Sequence, residues 1–93
     1  MRDMIPPFIE ETGELLAALR DAIEQKHMAE VVLLAHTIKG TAFCFAAEPT
    51  AAAALRLEMM GRHKNLTDAD KACASLEHEV ERLKQVLTDF AQN

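Results

Sequence analysis

The chain has 93 residues, enough for one core and not for two, and its formal net charge of −5 sets fifteen acidic side chains against ten basic ones. That balance excludes the clustered Lys and Arg of a nucleic-acid or anionic-membrane binder, and no apolar run approaches the ~20 residues that span a bilayer. With 49% hydrophobic and 4% aromatic residues, only three Gly and three Pro, and no strand-forming runs, the composition predicts an all-α class.

Four helices are predicted in chain order. The first opens after Pro6-Pro7, residues suited to a helix start, and carries Phe8, Ile9, Leu15, Leu16, Leu19 and Ile23 on one face. It ends near Gln25-Lys26-His27, where basic groups suit the negative end of the helix dipole. The second runs from Met28 to Ala46, and Glu48-Pro49 then interrupts the pattern. The third continues through Ala51, Leu55 and Met59 to Gly61-Arg62-His63. The fourth starts at a Thr67-Asp70 pair resembling a capping box. Its residues Ala69, Cys73, Leu76, Val80, Leu83, Leu87 and Phe90 alternate at spacings of four and three, the seam of a helix of roughly 24 residues. Short connections force sequential neighbours to pack antiparallel, so residues 1–93 are expected to form a single domain, an up-down four-helix bundle.

Cys44 and Cys73 form no CxxC spacing, and Met1-Arg2-Asp3-Met4 lacks the apolar stretch of an export signal. They read as reduced thiols in a cytoplasmic protein. No metal-ligand spacing occurs, and no Gly-rich phosphate loop follows a strand. His27, His63 and His78 read as ordinary surface histidines, two at predicted helix ends and one between Glu77 and Glu79.

His36 is different. Val31, Leu34, Ala35, Ile38, Ala42 and Phe45 form the apolar stripe of the second helix, and His36 points roughly 140° away from its centre. Lys39 and Gly40 lie one turn further on, beside it. At neutral pH an ordinary imidazole is largely unprotonated and nucleophilic. A phosphoryl group on it would bring about two negative charges, which Lys39 is placed to offset. A mid-helix glycine costs about 1 kcal/mol relative to alanine, which fits a need for another protein's active site to approach His36 closely. Val32 and Phe43 share the outward quadrant with the histidine and suggest a docking patch.

The string from Ala35 to Ala42 resembles the signature of histidine phosphotransfer (HPt) domains of two-component phosphorelays, read as A-H-x-[LIF]-K-G-[SA]-[SA]. The resemblance continues through Leu57-Glu58 and Gly61-Arg62 of the next helix. It implies a four-helix bundle with His36 as phosphoacceptor, and places Glu58 and Arg62 close to the histidine and to its partners. It also implies a phosphocarrier rather than an enzyme, serving as a monomer between receiver-domain aspartates of response regulators and a hybrid sensor histidine kinase. Mg2+ would sit on the receiver, so the resemblance implies a chain that needs no cofactor and no ATP site of its own. Cys44, Phe45 and Ala46 depart from the Asn-Leu-Gly common in relatives, and Ala46 replaces the glycine that usually closes the helix. Phe43 is bulkier than the small residue common there. Phe45 and Ile38 are similar to residues in phosphoacceptor domains of chemotaxis-type histidine kinases, which form one alternative; a non-catalytic helical interaction module is the other.

Overall fold

The described residues form four helices: α1 (Ile5–Glu24), α2 (Met28–Cys44), α3 (Glu48–Arg62) and α4 (Ala69–Gln92). The computed structural model describes the backbone of residues 5–92 and the side chains of residues 9–90. Phe8, expected on the apolar face of α1, lies outside the described side chains. Each helix packs on its neighbours in sequence, and α1 meets α4 to close the ring. The result is an antiparallel up-down bundle measuring 43 × 19 × 18 Å. α4, at 24 residues, runs nearly its full length.

The core is built as the periodicity predicts. Leu19 and Ile23 of α1 meet Val31, Ala35 and Ile38 of α2, Ala54 and Leu57 of α3, and Ala69, Cys73, Leu76 and Val80 of α4. The α4 seam stops one step early. Leu87 packs against Ile9 and Phe45, but Phe90, past that last layer, is 51% exposed. On α3, Leu55 and Met59 are exposed, while Thr50, Ala51, Ala54, Leu57 and Gly61 point inward. Successive steps of four drift by about 40° around a helix, so Ala51 stays inside and Met59 has left the core.

Three helix ends share one device. His27 N–H donates to Ala22 O, Ala47 N–H to Ala42 O and Asn65 N–H to Met60 O, each over one residue in the left-handed region. Those residues are Lys26, Ala46 and Lys64, at φ of 58°, 54° and 55°, none of them glycine. With the Lys26, Ala46 and Lys64 N–H groups donating to Ile23, Phe43 and Gly61 O, this is the Schellman reversal, which satisfies the last free carbonyls of a helix. It ends α2 at Cys44, two residues before the expected Ala46. The start of α4 is also displaced: Ala69 is its first residue, and the Thr67 hydroxyl donates to Asn65 Oδ1 at 2.7 Å instead of occupying the cap. Cys73 is fully buried, and burial pushes its thiol pKa up, whereas Cys44 is exposed at the end of α2.

Candidate functional site

The outer face of α2 carries the site because the opposite face is fully committed to the core. Val31, Ala35, Ile38 and Ala42 are buried, which turns His36 to solvent with its side chain 60% exposed. α3 runs alongside and inserts one carboxylate beneath the ring. Glu58 is only 3% exposed, yet three donors reach it. Lys39 Nζ lies 2.8 Å from Oε1, His36 Nδ1 lies 3.3 Å from the same oxygen, and Arg62 Nη2 and Nε reach Oε2 at 2.8 and 3.1 Å.

Those contacts hold the Glu58 carboxyl far below its ordinary range, at about 2. The Lys39 hydrogen bond is the largest cause, with Arg62 and His36 adding to it against burial, which opposes ionisation. A buried carboxylate is tolerated only when paired and hydrogen-bonded, and here both oxygens are occupied. An ionised carboxylate can only accept, so the ring nitrogen that faces it, Nδ1, carries the proton. The lone pair then resides on Nε2, at the other edge of the exposed ring. With the imidazole neutral, Lys39, Arg62 and Glu58 leave one net positive charge beside that nitrogen.

The remaining expected residues divide between the surface and the seam. Phe43, two turns beyond His36, is 60% exposed. Gly40 is exposed, and a Cβ built on it would meet nothing within 4 Å. Val32 is half-buried and faces α3, its Cγ2 within 2.7 Å of a Cβ built on Gly61. Glu58, expected at the partner surface, lies underneath the histidine instead. Arg62 is exposed at the rim while holding Glu58. Leu33, one turn before His36, is 59% exposed and was not singled out from the sequence. Its helical angle, about 60° from His36, carried that signal. His27, His63 and His78 are exposed elsewhere. Among the described residues no cluster of His, Cys, Asp and Glu is placed to hold a metal ion, and no helix is long and apolar enough to cross a membrane.

The backbone is similar to the crystal structure of histidine-containing phosphotransfer protein B (HptB) from Pseudomonas aeruginosa PAO1, with a TM-score of 0.94 over 98% of this chain and 79% of that one. At 21% identity, that likeness is one of fold. Among curated protein sequences none matches. The model of the Hpt domain family matches residues 3–86, nearly the whole bundle and all of the His36 cluster. The chain therefore belongs to the Hpt domain family, the phosphocarriers that exchange phosphoryl groups with receiver domains and kinases in phosphorelays.

Proposed function

We propose that His36 is the phosphoacceptor of a monomeric carrier that takes a phosphoryl group from one receiver-domain aspartate and delivers it to another. The observation that carries this reading is an exposed imidazole whose Nδ1 rests on a buried, ionised carboxylate. Nε2 attacks the phosphorus of the receiver's aspartyl phosphate. The N–P bond forms as the acyl P–O bond breaks, and the aspartate leaves as a carboxylate. The ring keeps its Nδ1 proton and gains positive charge, which Glu58 stabilises without itself taking the proton, as a buried Asp does for a catalytic histidine.

Lys39 and Arg62 are the cations within reach of the incoming phosphoryl oxygens. Leu33 and Phe43, on either side of His36 along α2, supply apolar surface for a small, transient interface. The chain contributes neither nucleotide nor metal; Mg2+ belongs to the receiver. The setting for such a carrier is the cytoplasm.

The test is labelling with a phosphorylated receiver, alongside an isolated kinase core. Acid-labile, base-stable phosphate should appear from the receiver and vanish in His36→Gln. Label retained in His36→Gln would move the acceptor to His27, His63 or His78, and label from the kinase core alone would favour the chemotaxis-type reading.

A further inference from the structure

Gly61 lies on the same turn of α3 as Glu58, three residues on, and faces α2 one turn below His36. A Cβ there would stand 2.7 Å from Val32 Cγ2, with Met28 O and Val31 Cγ1 each at 3.3 Å. Carbon atoms pack at about 3.5–4.0 Å, so the nearest contact is short by roughly 1 Å. Neither valine yields easily, because a β-branched side chain in a helix has essentially one rotamer. The two other glycines lack this constraint, since a Cβ on Gly13 or Gly40 meets nothing within 4 Å.

We infer that Gly61 is a positioning residue for phosphotransfer: its missing side chain sets the α2–α3 spacing at which Glu58 reaches the His36 ring. The margin is narrow. His36 Nδ1 and Glu58 Oε1 are 3.3 Å apart, already near the outer limit of a hydrogen bond. An α3 displaced outward by about 1 Å breaks that contact, whereas Lys39 and Arg62, with long flexible side chains, follow the carboxylate. The expected result of a methyl group at position 61 is thus specific. The ion pairs persist, the imidazole loses its fixed proton position, and Nε2 is no longer held as the bare nitrogen.

This inference rests on the phosphoacceptor role of His36, but its first readout does not require phosphotransfer. Nitrogen-15 NMR of the unphosphorylated protein at alkaline pH reports which ring nitrogen of His36 bears hydrogen. Wild type and Gly13→Ala should both show Nδ1–H. Gly61→Ala should show a mixture of tautomers with an unchanged helical circular dichroism spectrum, and should transfer phosphate about tenfold more slowly or worse. Removing Cγ2 with Val32→Ala in the Gly61→Ala background should restore the Nδ1–H signal and most of the rate. If Gly61→Ala does not fold, the double variant alone decides: it must fold and show the wild-type tautomer. An unaltered His36 spectrum in folded Gly61→Ala, or a double variant that stays mixed, overturns the inference. Absence of label on wild-type His36 would instead overturn the phosphoacceptor assignment and leave the spectroscopic result standing.

Discussion

Lys39 Nζ sits 2.8 Å from the very Glu58 oxygen that faces His36, so the cation one turn beyond the histidine is anchored and only 20% exposed. The ammonium is therefore held close to the imidazole, with its charge partly balanced by the carboxylate.

Acid should weaken the fold through Glu58. Its carboxyl titrates at about 2 in the folded chain against an ordinary 4.5, so the unfolded chain binds the proton more readily. The stability it contributes is fully present above pH 4.5 and is lost as the pH falls through the interval towards 2. Urea unfolding of wild type and Glu58→Gln at descending pH measures this. The wild type should be the more stable at pH 7, and the gap should narrow below pH 4.5. A gap that is constant with pH would mean the carboxylate is not specially stabilised.

Gly40→Gln should fold at least as stably as wild type, gaining up to about 1 kcal/mol of helix propensity, because nothing occupies the space its side chain enters. Phosphotransfer should nonetheless slow about tenfold or more, since the new side chain stands one turn from the ring on the approach side. Lys39→Ala should slow transfer while leaving the approach open, and should shorten the lifetime of the phosphohistidine. Melting temperature and transfer rate on one Gly40→Gln sample settle the first point: normal transfer by a folded variant would remove partner approach as the reason for this glycine.

Ala46→Gly should stabilise the protein by roughly 0.5–1 kcal/mol. Alanine at φ 54° bears the steric cost of the left-handed region, which glycine avoids at a smaller cost in chain entropy. Lys26→Gly and Lys64→Gly should act in the same direction. A fall in the urea midpoint of Ala46→Gly would show that the methyl group makes contacts worth more than its strain.

Thr12 is 2% exposed, and its hydroxyl has no hydrogen-bond partner among the described residues. Thr12→Val replaces that hydroxyl by a methyl of similar shape at nearly equal helix propensity, and should stabilise by about 1 kcal/mol. Thr12→Ala should destabilise by opening a cavity. Opposite signs for the two substitutions in chemical denaturation are the expected pattern; a loss in both would assign the hydroxyl a partner.

Much of this arrangement was legible in the chain. The α4 seam from Ala69 to Leu87 is spelled by branched and long apolar residues, whose periodicity has one reading. His36 stood out because a polar group opposite a full apolar stripe must face water. Alanine-rich α3 was harder to orient, since alanine is tolerated at both core and surface positions. Glu58 was recognisable as a neighbour of the histidine, but not as a buried one. Its burial is made possible by Lys39 on another helix and Arg62 one turn on, a condition only the folded chain creates. The left-handed Lys26, Ala46 and Lys64 run against local preference, since none of them is glycine.

The two cysteines, one sealed in the core and one open at the end of α2, give the wild-type protein a built-in attachment point. A maleimide fluorophore should react once per chain, at Cys44, because the Cys73 thiol is both covered and poorly ionised. Cys44 lies eight residues beyond His36, about 12 Å along the helix, near enough for the dye to sense a docked receiver without touching the ring. Binding at the proposed phosphoacceptor face can thus be followed optically on a chain that carries no engineered substitution.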